Sequence, residues 1–392
     1  MPHGNGLLSV IRRELAIITT TRAPVMLMLV LPLVSFALLW AIFRTGTPAD
    51  LPVAVCDLDD SALSRQITRM VGATRTMRVA WRVADPAEGE RLLKSGTIYA
   101  FILLPRDLER DVKRGQAPVV VAYTNAQWIL PSSLISRDLR AVSATVSAGI
   151  DLRQRQKRGE GSAGARAHLE PIRVDARALY NPQLNYLFYL VTALLPTMLQ
   201  IFIAVLAVHA IGRELKDGTA GDWLDSAGGS VARAVAGKLL PYTAGFTLVG
   251  LGMITLIFRF LGAPMRGSLA TICVGTVLFV LAYQAMGLLF ISWTRNLRLA
   301  TSVVAFYTSP AFAYVGTTFP TAAMPAFGRI WGALLPLFYY LRLLVEQGTR
   351  GARLAASAPE LLALLAFVAA ATVLSLRKIG QAARDPSCWG RQ

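Results

Sequence analysis

The charged residues best placed for chemistry lie in a short stretch between two long apolar segments, Gly212 to Leu240. Arg213 and Glu214 open this stretch, and Asp222 and Trp223 follow a Gly-Thr pair. A charged segment held between two apolar segments must face water, so the chemistry open to it is recognition of another protein, with apolar anchors inside a polar rim. The alternative is an ordinary solvated loop.

Residue sets for catalysis or nucleotide binding do not occur in the sequence. Gly237-Lys238 has Ala232 where a P-loop needs its first glycine and Leu239 where it needs a hydroxyl, so ATP cannot be held by a P-loop. The three histidines, at positions 3, 168 and 209, cannot converge with a nucleophile. The three cysteines, at positions 56, 273 and 388, have no metal-site spacing. We therefore expect no catalytic residue, no metal and no cofactor bound by this chain.

The composition is typical of a membrane protein. Hydrophobic residues make up 54% of the 392 residues and charged residues only 16%, which is too apolar for a typical soluble domain. The formal charge of +17 comes mostly from arginines spread along the chain, and a membrane protein needs basic residues beside its spans. We therefore expect a lipid bilayer around this chain and no nucleic acid as a partner.

Six segments predict transmembrane helices, because a helix needs roughly 20 apolar residues to cross the hydrocarbon core. The first covers residues 24–43, and the other five lie within a membrane region of residues 183–376, at 187–211, 239–258, 269–292, 299–319 and 361–376. Residues 320–358 are semi-apolar and broken by Pro336. That pattern suits a helix pair re-entering the membrane better than a span.

The two ends of the chain are amphipathic or basic. Residues 1–23 interleave apolar residues with Arg12, Arg13 and Glu14, which predicts an amphipathic helix in the membrane interface. Residues 377–392 form the predicted tail after the last span. Arginine and lysine are more frequent in the short loops on the side of the N-terminus. The positive-inside rule then puts both termini in the cytoplasm.

Residues 44–182 differ in kind, because charges are frequent there and no segment could span a membrane. Short β-like runs at 53–57, 77–83, 98–104 and 119–123 alternate with a helical stretch at 86–95, and a long amphipathic helix covers 131–158. This alternation predicts a small α/β layer. The sequence thus predicts a polytopic α-helical membrane protein with six transmembrane helices and an extracytoplasmic α/β domain between the first two.

With this layout, nearly the whole chain resembles the permease subunit of type-2 ABC exporters. Four stretches carry the resemblance, at residues 10–15, 57–65, 179–182 and 213–224. The last supplies the family's acidic and basic pair, its Gly-Thr, its acidic residue and its leucine. It departs from the family at Gly221 and in the small residues 226–229, where proline and bulkier residues are more frequent.

In such permeases the cytoplasmic element between the second and third spans is a coupling helix seated in the ATPase subunit. The resemblance implies a coupling helix near residues 212–226. Trp223 and Leu224 would be its apolar anchors, and Glu214 and Asp217 would be rim contacts; the alternative for Trp223 is an interfacial membrane anchor. The implied ATPase-coupling residues are Arg213, Glu214, Asp217, Gly218, Thr219, Asp222, Trp223 and Leu224.

The resemblance also implies partners and a location. An ABC ATPase subunit would hold ATP and Mg²⁺, and a second permease protomer would complete a homo- or heterodimer. A periplasmic adaptor would dock on the extracytoplasmic domain. The chain would lie in the bacterial inner membrane, with the large domain in the periplasm. It would then be a transport subunit for ATP-driven export, with a non-transporting membrane scaffold or secretion component as the alternative.

The substrate path is the least determined feature of the sequence. Polar side chains in or beside apolar spans are candidates for it, and here they are Asn185, Tyr186, Gln200, Tyr283 and Gln284. Hydrogen bonding between helices explains each of them equally well. No predicted span has Asp, Glu or Lys near its centre, which disfavours ion-coupled transport. The apolar lining favours an amphiphilic, drug-like or lipid substrate.

Overall fold

The computed structural model describes residues 6–44, 46–157, 181, 185 and 187–390. They form two compact units. A helical unit holds the described residues up to Gly46 and those from Asn181 onward, and an α/β unit holds those from Thr47 to Lys157. The two units have separate hydrophobic cores.

Secondary structure elements follow one another in this order. The helical unit begins with α1 (Leu7–Thr20) and α2 (Arg22–Phe43). The α/β unit contains β1 (Leu51–Asp57), α3 (Ala62–Gly72), β2 (Met77–Val83), α4 (Pro86–Lys94), β3 (Ala100–Leu104), α5 (Leu108–Lys113), β4 (Val121–Thr124) and α6 (Ile129–Lys157). The helical unit then continues with α7 (Leu187–Lys216), α8 (Ala220–Ser226), α9 (Val231–Phe260), α10 (Leu269–Thr294), α11 (Leu297–Thr308), α12 (Ala311–Tyr314), α13 (Ala326–Ala333), α14 (Pro336–Leu344) and α15 (Leu354–Arg384).

Among the described residues, five helices are long and apolar enough to cross a membrane, namely α2, α7, α9, α10 and α15. Each coincides with one of the predicted spans. The chain is therefore a polytopic membrane protein. Close helix packing supports the bundle: a Cβ added at Gly287 of α10 would lie 2.8 Å from the Ala204 carbonyl oxygen of α7, so only glycine permits this approach.

The prediction that residues 299–319 form one continuous transmembrane helix is wrong. In its place α11 ends at Thr308 and the four-residue α12 follows. Ser309 and Pro310 form a turn between α11 and α12, and Pro310 has no N–H to donate to the helical hydrogen bonds. Gly316 has a left-handed backbone with φ of 82°. Beyond it, α13 and α14 form the helix pair expected in residues 320–358.

The last span also continues further than predicted. The tail was expected from residue 377, but α15 runs on to Arg384. Ile379, Ala382 and Ala383 are buried against the helical unit, so the apolar stripe of the helix extends past the basic pair at its predicted end. This extension carries the C-terminal segment towards α8.

The α/β unit is built on a four-stranded sheet in the order β2-β1-β3-β4. Strand β1 pairs in parallel with both β2 and β3, and β4 is antiparallel to β3. Leu63 and Ile67 of α3 pack on one face together with α6, whereas Leu92 and Leu93 of α4 pack on the other. The connections that leave β1 and β2 therefore turn to opposite faces of the sheet.

Candidate coupling site

A tight pair of turns positions α8 between two long helices. Helix α7 ends at Lys216, and Gly218 turns the chain with a φ of 72°. After α8, Gly228 and Gly229 also have left-handed backbones, which glycine adopts without steric strain. Ser230 then caps α9 by accepting a hydrogen bond from the Arg233 amide. The element is therefore short and firmly joined to α7 and α9.

Directly behind α8, Lys238 of α9 is buried between two carboxylates. Its Nζ donates to Glu14 Oε2 of α1 at 2.6 Å and to Glu214 Oε1 of α7 at 2.7 Å. The side chains of Lys238 and Glu214 are 1% exposed, and that of Glu14 is 2% exposed. A buried charge without a partner is strongly unfavourable. This ion cluster therefore holds α1, α7 and α9 together.

Three further groups complete the ion cluster. Arg13 of α1 pairs with Glu214 at 2.9 Å. The Tyr242 hydroxyl donates to Glu14, and the Thr219 hydroxyl donates to Glu214. The carboxylates of Glu14 and Glu214 are thus balanced by the ammonium of Lys238 and the guanidinium of Arg13. The turn before α8 is also bonded to Glu214, through Thr219. We call Arg13, Glu14, Glu214, Lys238 and Tyr242 the charge network.

The apolar side chains of α8 also point inward. Trp223 is 1% exposed, its Nε1 donates to the Ala234 carbonyl oxygen at 3.2 Å, and Lys238 Nζ lies 5.7 Å from its ring centre. Leu224 is buried as well. The prediction that Trp223 and Leu224 anchor another protein, with Glu214 at the rim, is therefore wrong in its geometry, because these side chains belong to the chain's own core.

The outer face of α8 and the turn before it are acidic. Asp217, Asp222 and Asp225 are exposed, as is Gly218. Arg213 is partly buried, with its Nε 3.9 Å from Asp217 Oδ2. The predicted coupling residues thus divide into an inner set and an outer set. Sequence reasoning included Asp217 and Asp222 but missed Asp225, whose place one turn after Asp222 on the same helix could have identified it.

The chain ends pack against α8 from two sides. Near the N-terminus, the Gly6 amide donates to the Ser226 carbonyl oxygen at 3.0 Å. Near the C-terminus, the Gly390 amide donates to the Leu215 carbonyl oxygen at 3.0 Å. The Trp389 ring lies over Gly221, where an added Cβ would be 3.4 Å from it. A Cβ at Gly221, the departure from the family pattern, would therefore make only an ordinary van der Waals contact with this ring.

The C-terminal segment is held by hydrogen bonds within itself and to the turn after α8. Trp389 Nε1 donates to the Ala382 carbonyl oxygen at 3.2 Å, and Arg384 donates to the Gly229 carbonyl oxygen at 3.3 Å. The hydroxyl and amide of Ser387 lower the pKa of Asp385 below its ordinary value by hydrogen bonding. The Asp385 carboxylate therefore stays ionised at neutral pH and caps this turn.

We expect Trp389→Ala to loosen α8. Removing the ring takes away an apolar contact and one hydrogen bond, and we expect backbone amides of residues 216–226 to exchange with deuterium about tenfold faster, the equivalent of about 1.4 kcal/mol. Trp389→Phe keeps the ring contact and should retain most of the protection. Trp293→Ala removes an exposed tryptophan elsewhere and serves as control. Equal exchange in all variants would contradict the prediction.

The predicted substrate-path residues do not form one site. Gln200 Nε2 donates to the Thr308 carbonyl oxygen at 3.3 Å, and Tyr283 Oη accepts from the Leu337 amide at 3.3 Å. Asn185 Oδ1 accepts from the Leu187 amide. Tyr186 lies outside the described residues. The structure therefore favours helix–helix hydrogen bonding for Gln200 and Tyr283 and a local bond at the start of α7 for Asn185.

Gln284 is the predicted path residue that lines a groove. Its Oε1 accepts from the Thr243 hydroxyl at 2.7 Å. The groove has a volume of about 240 Å³ and lies between α9, α10 and α15. Apart from Gln284, Thr243 and Thr372, its lining is aliphatic. This composition suits an amphiphilic ligand with one polar group.

The model of the family described as "ABC-2 family transporter protein" matches residues 24–377. The chain belongs to this family, and it is an ABC transporter permease of type 2.

Two curated relatives are similar to it over much of their length. The inner membrane transport permease YhhJ of Escherichia coli K12 is 23% identical over 365 residues, which cover 89% of this chain and 91% of that protein. The probable multidrug ABC transporter permease YbhS of the same organism is 25% identical over 259 residues, 64% of each chain. Family membership supports a transport subunit that works with an ATPase in the inner membrane.

Proposed function

We propose that this chain is the permease subunit of an ATP-driven exporter, with α8 as the coupling helix that receives the motion of a separate ATPase. The observation that carries the proposal is the charge network behind α8. Its ion pairs, of 2.6 to 2.9 Å, join α1, α7 and α9, and the Thr219 hydroxyl bonds the turn before α8 to Glu214 of the same network. A displacement of α8 by the ATPase then moves α1, α7 and α9 together as a rigid body.

The acidic outer face sets the chemistry of the contact. Asp217, Asp222 and Asp225 are exposed, so the facing groove of the ATPase carries basic or hydrogen-bond-donating groups. Charge complementarity of this kind fixes the orientation of two partners and speeds their association. The partner ATPase holds ATP and Mg²⁺, and this chain supplies positioning.

The finer architecture follows from the same proposal. Both termini and α8 lie in the cytoplasm, and the α/β unit is periplasmic. The broken segment from α11 to α14 takes the place of the predicted continuous span and contains the re-entrant helix pair. Two protomers form the pathway as a homo- or heterodimer, and a periplasmic adaptor docks on the α/β unit.

The cargo is amphiphilic, drug-like or a lipid, and it moves outward. The apolar groove with Gln284 and Thr243 supports this class, because an aliphatic lining with a few polar groups is typical of sites for such ligands. The relative YbhS is named a probable multidrug permease, which agrees with such a cargo for this chain.

A pull-down from native membranes tests the proposal. The tagged chain, extracted in mild detergent, should bring down ATP hydrolysis that is absent from an untagged control. The alternative is a non-transporting scaffold with the same α/β unit. If no ATPase activity co-elutes under conditions in which the permease dimer survives, the exporter proposal fails and the scaffold is the better account.

A further inference from the structure

The carboxyl ends of β1 and β2 form a crevice with a volume of about 460 Å³. The connection after β1 leads to α3 on one face of the sheet, and the connection after β2 leads to α4 on the other. The crevice thus lies beyond the carboxyl ends of two parallel strands, the edge of an open parallel sheet at which ligands generally bind. The charged side chains that line it are Asp57, Asp60, Arg65, Arg69 and Arg82. We call this group the arginine crevice.

The two carboxylates of the arginine crevice are already engaged. Asp57 Oδ1 accepts from the amides of Asp59 and Asp60 at 3.1 and 2.9 Å, and its Oδ2 accepts from the Ser64 hydroxyl at 2.7 Å. Asp60 pairs with Arg65 at 2.9 Å. The acidic groups therefore shape the loop after β1 and leave the basic groups in excess.

Two of the three arginines have free guanidinium groups. The side chains of Arg69 and Arg82 make no hydrogen bond or ion pair within the described part of the chain, which contains the whole crevice, and both residues are exposed. Arg69 follows Arg65 by one turn of α3, and Arg82 comes from the end of β2. The guanidinium groups of three arginines thus line one opening from two different elements. Their planar shape suits bidentate hydrogen bonding to an oxyanion.

We propose that the arginine crevice binds a phosphate group. With Arg65 paired to Asp60, the two free guanidinium groups of Arg69 and Arg82 outnumber the one remaining carboxylate, Asp57, and a tetrahedral phosphate offers several oxygens to planar groups that arrive from different directions. The phosphate can come from a soluble ester or from a lipid headgroup. This binding is separate from coupling at α8 and stands whether or not an ATPase partner is found.

Calorimetric titration of the full chain in nanodiscs of zwitterionic lipid tests this site. Pyrophosphate and water-soluble dihexanoyl phosphatidic acid are the probes, at about 0.15 M salt so that weak surface attraction is screened. We expect binding by the wild type and at least tenfold weaker binding by Arg69→Gln with Arg82→Gln. Tighter binding of the phosphatidic acid would identify a headgroup as the source, and tighter binding of pyrophosphate a soluble ester.

Two further variants test whether binding depends on the arginine crevice itself. Arg78→Gln removes an exposed arginine from the same strand as Arg82 but outside the crevice, and it should bind like the wild type. Arg69→Lys keeps the positive charge but lacks the planar guanidinium, so it should bind the probes more weakly than the wild type. This single variant tests the site even if the double variant folds poorly. The proposal is overturned if the wild type binds neither probe, if the double variant binds equally well, or if citrate binds more tightly than both.

Discussion

Replacing Lys238 with methionine is expected to destabilise the helical unit by about 3 to 5 kcal/mol, the range for breaking a buried ion pair by removing one partner. The change leaves Glu14 and Glu214 buried beside each other with Arg13 as the remaining cation. The two carboxylates would repel each other in a site of low dielectric constant. Denaturant titration of the purified chain in micelles measures the loss of unfolding free energy.

The control for this prediction is Lys216→Met, which removes an exposed lysine at the end of α7 and should change stability by less than about 0.5 kcal/mol. Adding Glu14→Gln to Lys238→Met removes the carboxylate that is left without a cation, because Glu214 keeps Arg13, and it should restore part of the lost stability. Such recovery is the mark of direct coupling in a double-mutant cycle. A Lys238 variant as stable as the Lys216 variant would show that the charge network does not hold the helices.

The spans and strands were predictable because their patterns are local. The strand predicted at residues 77–83 has the same bounds in the structure, and the long helix expected at 131–158 runs from Ile129 to Lys157. In both cases the periodicity of apolar residues over one segment determines the element. The break between α11 and α12 falls inside an apolar run, and the length of that run alone predicts a span there.

The interior of the coupling site could not be predicted, because its contacts join distant parts of the chain. Glu14 and Lys238 are 224 positions apart, and nothing in either segment indicates the other. A charged residue in a short hydrophilic stretch is usually exposed, so Glu214 was placed at the rim. One sign was available: Lys238 stands among apolar neighbours, and a buried charge needs an opposite one.

Reversing the charge of the outer face of α8 should abolish capture of the ATPase. Asp222→Lys with Asp225→Lys changes two exposed side chains, while Trp223 and Leu224 remain in the core and keep the helix in place. Like charges brought together across an interface are unfavourable by several kcal/mol. We expect the ATP hydrolysis that co-elutes with the tagged chain to fall at least tenfold, which corresponds to about 1.4 kcal/mol or more.

The control for the acidic face is the same charge change on the α/β unit, Glu88→Lys with Glu90→Lys, which alters exposed side chains of α4. It should leave co-eluting ATPase activity unchanged. Because both double variants add the same positive charge, a loss confined to the α8 variant cannot come from net charge. If instead the α8 variant keeps its ATPase and Trp223→Ala loses it, the contact would be through the apolar face, and α8 would have to turn outward when the partner binds.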